Sequence, residues 1–286
     1  MLLNMKNLLS VAREHTFAVP AFNVSSSMLL RGVIEAAEEA EAPVIVSIHP
    51  DELSFVRPSF LQAAVYEATH TSVPVCIHLD HGSSLDQIVA GIRYGYTSVM
   101  MDASEEPLEE NIAICKTVVD LAHAVDVSVE GELGTIGTTG PEAEAGADEI
   151  IFVDPHDVKR FVDETGVDTL AVAIGTAHGI YPKDRTPKLQ LGLLKEITAK
   201  VDVPLVLHGG SSNSDDEIAQ AVTLGINKIN ISSDIKNAFY QRCREVLADT
   251  NLREPNSIYP ACIDAMKKVA DQKFRLFETA GKAVHY

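Results

Sequence analysis

Eight short apolar runs alternate with eight longer amphipathic stretches, and this alternation constrains the fold more than any other feature of the chain. The runs are apolar almost throughout, as is typical of parallel strands that are covered on both sides. The predicted strands are Phe17–Asn23, Pro43–His49, Val73–Leu79, Thr97–Asp102, Val127–Glu132, Asp168–Gly175, Val203–His208 and Ile226–Ile231. The predicted helices are Ser26–Ala40, Pro58–Thr69, Ser84–Tyr94, Pro107–Val125, Pro155–Thr165, Leu191–Lys200, Ser214–Leu224 and Asp234–Ala248.

Eight strand–helix units are the number that closes a barrel, so the sequence predicts one α/β domain, a (β/α)8 TIM barrel, over residues 1–286. Two further helices, Ser257–Asp271 and Lys273–Ala280, are expected at its C-terminal end. An open doubly wound sheet is the alternative, and it would need a glycine-rich turn after the first strand. That turn reads NVSSS, without glycine, which favours the barrel.

Charge and cysteine content limit the partners of the chain. Asp and Glu number 41 and Lys and Arg 23, so the formal net charge is −18. A protein this acidic is a poor binder of nucleic acid or of an anionic membrane, and we expect neither as a partner. An anionic substrate would need positive charge within its own site, from a metal ion or from helix N-termini. The four cysteines form no CxxC pair, which predicts reduced thiols and a cytoplasmic location.

Polar residues follow the predicted strands at the end where a barrel of this type carries its chemistry. His81, His178 and His208 each stand at a strand end and are each followed by glycine. Three converging imidazoles predict a catalytic Zn²⁺ with one coordination position left open. The alternative for any one of them is a hydrogen-bonded structural histidine. His78 is expected to support the metal ligands without binding the metal ion itself. His49 is interpreted as a surface or local packing residue.

Two Gly- and Ser-containing segments precede the last two helices of the predicted barrel. Gly209–Ser212 follows the seventh strand and Asn230–Ser233 follows the eighth. Backbone N–H groups at these loops and at helix N-termini are the common phosphate site of such barrels. Capping of the helices by serine is the alternative interpretation.

Seven segments together resemble the class II, zinc-dependent ketose-bisphosphate aldolases, in the order that the family has them. They are PAFNV, HLDHG, SVMMDAS, VEGELG, AVAIGTAHGIY, PLVLHGGS and KINISSD. The resemblance spans residues 1–286 and is closer to the short tagatose-bisphosphate type than to the longer fructose-bisphosphate type. It implies a lyase of carbohydrate metabolism that reversibly cleaves a phosphorylated ketose to dihydroxyacetone phosphate and an aldehyde, through a zinc-stabilised enediolate.

The resemblance also implies roles for individual residues. His81, His178 and His208 match the zinc ligands, and Asp80 matches the acid/base that exchanges a proton with the acceptor oxygen. Asp102 and Glu132 match positions of a second metal or of an alternative zinc position. The implied substrate contacts are Asn23, Gly179, Gly209, Gly210, Ser211, Asn230, Ile231, Ser232, Ser233 and Asp234. Gly179 and Ser211 also match positions where a monovalent cation assists. A lysine Schiff base is not required, so Lys183 near the predicted mouth need not be catalytic.

The chain departs from the family in three places. In the family, the loop after the fifth strand usually reads GGQED or GGEED, and one Glu in it is the base at the ketose carbon; here the loop reads GTTGPEAEAG. Counting back from Asp154-Pro155, which match a family DP pair, places Glu142 at the position of that base. Counting forward from Gly134 needs two extra residues and gives Glu144 as the alternative. Ser212 stands where glycine is common. His49-Pro50-Asp51 replaces the usual small polar residues after the second strand, which points to an unusual aldehyde.

A different zinc-dependent TIM-barrel enzyme, such as a hydrolase that uses zinc-bound water, is the alternative function. The sequence does not name the sugar. We expect a homo-oligomer, a dimer or a tetramer.

Overall fold

Eight parallel strands form a closed barrel in the computed structural model, which describes residues 1–139, 147, 149–180, 188–211 and 213–286. The strands are β1 Val19–Asn23, β2 Val44–Ile48, β3 Val75–Gly82, β4 Ser98–Met101, β5 Ser128–Leu133, β6 Thr169–Val172, β7 Leu205–Leu207 and β8 Ile226–Ile231. Each strand pairs with its neighbours in chain order, and β8 pairs with β1 to close the ring. The predicted TIM barrel is confirmed.

Helices cover the outside of the barrel and its amino-terminal end. They are α1 Met5–Glu14, α2 Ser27–Glu39, α3 Pro50–Val56, α4 Ser59–His70, α5 Leu85–Tyr94, α6 Leu108–His123, α7 Pro155–Thr165, α8 Leu191–Thr198, α9 Asp215–Thr223, α10 Ser233–Val246 and α11 Pro255–Leu276, followed by a 3-10 helix at Lys282–His285. Within the described residues, no helix combines the length and the apolar character needed to cross a membrane.

Side chains in the loops set where several helices begin and end. Ser26 and Ser84 accept hydrogen bonds from first-turn N–H groups of α2 and α5, and Asp154 does so for α7. Pro155 follows at the first position of α7, where its missing N–H removes no helical hydrogen bond. Gly166 ends α7 in the left-handed conformation that glycine adopts without strain. These local signals explain why the predicted and observed bounds of α7 coincide.

The predicted helices differ from the observed ones in two places. Helix α11 runs without a break from Pro255 to Leu276 across the two predicted segments, Ser257–Asp271 and Lys273–Ala280, because Gln272 between them is no helix breaker, and it ends before Ala280. Helix α3 was not predicted. It begins because the His49 ring accepts the Asp51 N–H while the Glu52 carboxylate accepts the His49 N–H.

Two very short strands were also missed. Gly137–Thr138 and Ala177–His178 pair in parallel, outside the barrel sheet. They follow β5 and β6, so this pairing ties together the chain segments that leave two neighbouring barrel strands.

Alternation along β3 shows how the barrel separates apolar and polar layers. Val75, Ile77 and Leu79 belong to the apolar layer between strands and helices. The intervening Cys76 packs on α1, while His78 and Asp80 form buried polar contacts. Successive strand residues point to opposite faces, so the inward face of β3 carries its polar side chains towards the carboxyl end.

Helix α1 closes the opposite end of the barrel. Met5, Leu8, Leu9 and Ala12 are fully buried against inward-facing residues of β1, β2 and β3. The backbone N–H of Lys6 donates to Ser128 Oγ at the start of β5, 3.0 Å away. The barrel interior is therefore closed by an apolar cluster at its amino-terminal end, and the polar residues lie towards the other end.

Candidate active site

A backbone irregularity in β3 directs two consecutive side chains into the same region. The pairing register between β3 and β4 shifts between Leu79 and Gly82, and His81 has a φ of 48°. Consecutive residues of a regular strand would point to opposite faces. Because of the shift, Asp80 contacts Asn23 and Asn230 while His81 contacts His208. A non-glycine residue in the left-handed region at such a site is a form of strain typical of functional positions.

The three predicted histidines converge at the carboxyl ends of β3, β6 and β7. His81 Nε2 lies 2.9 Å from His208 Nδ1, and the ring centroids of His81 and His178 are 5.0 Å apart. One ring nitrogen from each histidine lies within 4.8 Å of those of the other two. All three side chains are buried. This is the donor set and spacing of a transition-metal site.

The outer nitrogens of two of these rings are held by carboxylates. His81 Nδ1 is 2.7 Å from Asp102 Oδ2, and His208 Nε2 is 2.9 Å from Glu130 Oε1. Each ring is thereby fixed with its other nitrogen facing the centre of the cluster. His178 Nε2 is buried and has no hydrogen-bond partner within the described part of the chain. Carboxylates behind imidazoles that face a common point are the usual support of a metal site, so these residues fit a bound Zn²⁺.

The protonation of the cluster is uneven. Burial lowers the pKa of His178 well below its usual value, and the charge of His81 adds to this effect. Burial also acts on His81, but the hydrogen bond to Asp102 and the charges of Asp80 and Asp102 outweigh it and raise its pKa to about 10. A proton, or a metal cation in its place, is therefore favoured at the centre of this acidic region.

Asp102 and Glu132 lie beside His81 and form a second group of three possible metal ligands with it. Ser104 donates to Asp102 Oδ1 from both its hydroxyl, at 2.7 Å, and its backbone N–H, at 3.2 Å. Glu132 Oε2 is buried without a hydrogen-bond partner among the described residues, 3.7 Å from His208 Nδ1. Burial raises the pKa of Glu132 well above its usual value, and the charge of Asp102 adds to the rise. A cation would stabilise the ionised form of Glu132.

Asp80 is held by two amides from other strands. Asn23 Nδ2 donates to one carboxylate oxygen at 2.8 Å, and Asn230 Nδ2 donates to the other at 3.0 Å. Burial opposes ionisation of Asp80, but the nearby charges of His81 and Lys228 keep its pKa well below the usual value. The carboxylate is thus ionised and fixed in orientation. The sequence did not predict that Asn23 and Asn230 position Asp80.

A buried ion pair that was not predicted from the sequence lies beneath the histidines. Lys228 Nζ is 2.8 Å from both oxygens of Glu130. His78 is close to both, and its Nδ1 is 2.9 Å from Ser98 Oγ, which agrees with the prediction that it acts behind the ligands. One available signal was the run INKINI, in which a lysine interrupts an apolar strand two residues before Asn230. A lysine on the inward face needs a buried carboxylate partner.

The predicted phosphate segments lie side by side after β7 and β8. The Gly210 N–H donates to Asn230 O at 3.1 Å, and a Cβ on Gly210 would meet Ile229 Cγ2 at 2.4 Å, so only glycine fits. Ser211 is buried, and Ser232 Oγ is buried with no hydrogen-bond partner in the described structure. Ser232 precedes α10 without capping it through its side chain. A free hydroxyl beside a helix N-terminus fits an anion.

The remaining predicted substrate contacts are placed as follows. Gly179 is buried with φ of 103°, directly after His178. Gly209 has φ of 62°, and a Cβ there would meet Ala177 O at 2.6 Å. The Asp234 carboxylate pairs with Lys273 Nζ at 2.8 Å, so its side chain is engaged away from the cluster. Ile231 is fully buried and Ser233 begins α10.

A cavity of about 510 Å³ opens beside the cluster, lined by the loops after β2, β3, β4 and β5. It is bounded by His81, His178, Asp102 and Glu132 on the inside. His49 also lines it, with 14% of its side chain exposed and its ring centroid 6.3 Å from that of His81. The interpretation of His49 as a surface or local packing residue was therefore incomplete, because the ring faces the active-site cavity.

Four residues that the sequence analysis named, Glu142, Glu144, Lys183 and Ser212, lie outside the described residues. The candidates for the base at the donor carbon therefore stay predictions.

Comparison with known proteins places this site in a family. The sequence matches the family model "Fructose-bisphosphate aldolase class-II" over residues 3–282. The structure is similar to the YdjI aldolase from Escherichia coli K12, with 34% identity, coverage of 99% of this chain and 100% of that one, and a TM-score of 0.86. It also shares its fold with a fructose-bisphosphate aldolase from Campylobacter jejuni, at 24% identity over 98% and 97% of the chains and a TM-score of 0.82.

These matches and the barrel with its polar strand ends define a lyase that acts on carbon–carbon bonds. The chain belongs to the class-II fructose-bisphosphate aldolase family.

Proposed function

We propose that the protein is a zinc-dependent aldolase that reversibly cleaves a phosphorylated ketose to dihydroxyacetone phosphate and an aldehyde. The observation that carries the proposal is the convergence of His81, His178 and His208 within 4.8 Å, with carboxylates behind two of the rings. A zinc hydrolase is not favoured, because the matched family and both similar structures are aldolases.

The three histidines would hold the zinc ion, with Asp102 and Glu130 fixing the rings of His81 and His208. A bound zinc ion supplies Lewis acidity, which stabilises the negative charge that forms when the donor loses its α-proton. Asp102 and Glu132 are the residues that would hold a second divalent ion or an alternative zinc position. Gly179 and Ser211 are the proposed contacts of a monovalent cation.

The donor phosphate would lie on the loops after β7 and β8. The Ser232 hydroxyl, which has no hydrogen-bond partner among the described residues, and the N-terminus of α10 support this placement, and at Gly209 and Gly210 a side chain would clash with the neighbouring backbone and with Ile229. The protein carries a net charge of −18, so a local cradle of N–H groups is needed to accept a phosphate. Asp234 would contribute through its backbone, because its carboxylate pairs with Lys273.

Asp80 would transfer a proton at the acceptor oxygen. In the synthesis direction the aldehyde oxygen receives a proton as the carbon–carbon bond forms, and in cleavage Asp80 takes the proton of the matching hydroxyl. Its two amide contacts fix the carboxylate without satisfying every lone pair, so it can still accept a proton. A carboxylate of the loop after β5, Glu142 or Glu144, would remove the α-proton of the donor.

Release of dihydroxyacetone phosphate from ketose 1-phosphates and ketose 1,6-bisphosphates tests the proposal. The purified protein should release it, lose this activity after exhaustive chelation and regain it when zinc is added. Full activity after verified loss of metal would contradict the zinc assignment. Absence of release from every candidate ketose, together with absence of α-proton exchange in dihydroxyacetone phosphate, would contradict the aldolase assignment.

We also propose that the protein forms a homo-oligomer, a dimer or a tetramer, and that it is cytoplasmic.

A further inference from the structure

The cavity beside the histidines has an acidic wall. Five of its described lining residues carry a carboxylate, and among the described lining residues none is lysine or arginine. Two of the five, Asp102 and Glu132, lie beside His81 in the candidate metal site. The other three are exposed: Asp51 lies in the first turn of α3, after β2, and Glu105 and Glu106 lie in the loop after β4. The described wall of the cavity that lies away from the candidate metal site is therefore negatively charged.

The loop after β2 uses its own side chains to satisfy the N–H groups that an anion would need. The His49 N–H donates to Glu52 Oε2 at 3.0 Å, and the Asp51 N–H donates to His49 Nδ1 at 3.1 Å. Lys236 Nζ is 2.6 Å from Glu52 Oε1, so this cation faces a carboxylate of the protein. The His49 and Asp51 N–H groups and Lys236 are therefore already engaged by side chains of the protein.

Two buried polar atoms at the inner wall of the same cavity lack partners. His178 Nε2 and Glu132 Oε2 are buried without a hydrogen bond among the described residues, and both residues line the cavity. Buried polar groups are nearly always paired, so these two atoms fit a cation bound at the inner wall, at the end of the cavity where the reacting carbonyl would lie. The phosphate segments after β7 and β8 are not part of this wall, which separates the donor side of the site from the acceptor side.

We propose that the acceptor is an uncharged hydroxyaldehyde, so that the ketose substrate carries a single phosphate, on its donor end. This inference rests on the proposed function and adds the class of aldehyde to it. A second phosphate would be placed against carboxylates in a protein of net charge −18, and like-charge contacts of this kind are strongly unfavourable. Hydroxyl groups instead donate hydrogen bonds to carboxylates, and such charge-assisted bonds are among the stronger ones.

The test compares glyceraldehyde with glyceraldehyde 3-phosphate as acceptor for dihydroxyacetone phosphate, using the zinc-loaded protein. We expect kcat/KM to be higher for glyceraldehyde by about tenfold or more, since a few like charges at a specificity pocket have effects of this size. The ratio should decrease as salt is added, because salt screens the repulsion from the exposed carboxylates. Equal or better use of glyceraldehyde 3-phosphate would overturn the proposal.

A charge-reversal variant makes the test specific to the wall. Glu105→Lys/Glu106→Lys should raise kcat/KM for glyceraldehyde 3-phosphate by about tenfold without raising that for glyceraldehyde, because the lysines attract a phosphate and cannot accept hydrogen bonds from hydroxyl groups. The matched control is Asp120→Lys/Glu196→Lys, which alters net charge equally at exposed positions near the far ends of α6 and α8. The control should leave the preference unchanged. An equal shift in both variants would show a general charge effect and overturn the assignment to this wall.

Exchange of the α-proton of dihydroxyacetone phosphate with deuterated solvent distinguishes failure of the acceptor proposal from failure of the proposed function. This exchange needs the donor side alone. Normal exchange with a preference for the phosphorylated aldehyde overturns the acceptor proposal and leaves the proposed function intact. If the zinc-loaded wild-type protein shows no exchange and gives no aldol product from either aldehyde, both the acceptor proposal and the proposed function are overturned.

Discussion

Lys228 and Glu130 face each other inside the barrel, with the lysine Nζ 2.8 Å from both carboxylate oxygens and neither side chain exposed to solvent. The same carboxylate holds His208, so one buried ion pair lies directly behind a candidate metal ligand. The lysine charge compensates a carboxylate that burial alone would make neutral. The charged form of Glu130, and with it the orientation of His208, therefore depends on Lys228.

Replacing Lys228 alone should destabilise the protein strongly. Lys228→Met leaves the Glu130 charge buried without its partner, which typically costs about 3–5 kcal/mol of unfolding free energy. Urea denaturation of the metal-free proteins measures this loss. The double variant Lys228→Met/Glu130→Gln removes both charges and keeps a group that can bond to His208, so it should be clearly more stable than the single variant. A double variant no more stable than Lys228→Met would show that the pair is not coupled in this way.

Glu130 should also make stability depend on pH. The Lys228 and His78 charges and the bond to His208 outweigh burial and hold its pKa below its ordinary value of 4.5 in the folded protein. The unfolded chain then binds more protons, so this contribution is fully present above about pH 5 and is lost as the pH falls. Urea titrations of the metal-free protein from about pH 6 to about pH 3 measure the slope. The slope should be smaller in Lys228→Met/Glu130→Gln, and an identical slope would exclude Glu130 as its source.

Asp102→Asn should weaken metal binding without removing a histidine. Asp102 holds the His81 ring through a 2.7 Å contact, and loss of such a support typically lowers metal affinity about 10- to 100-fold. Competition with a chelator of known zinc affinity gives the change directly, independently of catalysis. Glu105→Gln is the matched control, because that neighbouring exposed carboxylate has no hydrogen bond to His81. Unchanged zinc affinity in Asp102→Asn would mean that the His81 orientation is set elsewhere.

Asp80→Ala should separate two chemical steps. We expect aldol turnover to fall by about 100-fold or more, the usual contribution of a positioned acid or base. Exchange of the donor α-proton should persist, because the proposed role of Asp80 is at the acceptor oxygen. Mass spectrometry of dihydroxyacetone phosphate in deuterated water measures exchange, and zinc content is determined in parallel. If both activities disappear while zinc is retained, Asp80 acts earlier in the reaction.

The two candidates for the donor base can be distinguished by the same assays. Glu142→Ala should retain zinc and donor binding but lose both α-proton exchange and aldol turnover, by about 100-fold or more. Glu144→Ala is the matched control on the same loop. Normal exchange in Glu142→Ala with loss in Glu144→Ala would reverse the assignment. Normal exchange in both variants would place the base outside this loop.

The barrel and the histidine cluster were predictable because their signals repeat along the sequence. Eight apolar runs of strand length specify the closed sheet, and the His-Gly pairs at His81, His178 and His208 stand at the ends of three of them. The carboxyl ends of parallel strands meet at one end of a barrel, so convergence of these side chains follows from the fold. The sequence alone did not show the irregularity at Asp80-His81 that directs both side chains inwards.

Contacts that cross the barrel were not predictable from one sequence. Glu130 and Lys228 are separated by 98 residues and meet only because their strands close the same ring. The contacts of Asn23 and Asn230 with Asp80 have the same origin. Helix α3 escaped prediction for a different reason: its cap is a histidine ring, and Ser, Thr, Asp and Asn are the usual caps.

Helix α1 and its apolar cluster have a consequence for how this enzyme can evolve. One apolar cluster closes the amino-terminal end of the barrel and includes Met5, Leu8, Leu9 and Phe17. The larger apolar layer packs the strands against the outer helices. Neither includes the exposed carboxylates of the cavity wall, which are the proposed contacts of the aldehyde. Substitutions at Asp51, Glu105 or Glu106 therefore leave the packing that supports the fold unchanged. A lineage can explore new acceptors through these positions while the rest of the chain stays under its existing selection for stability.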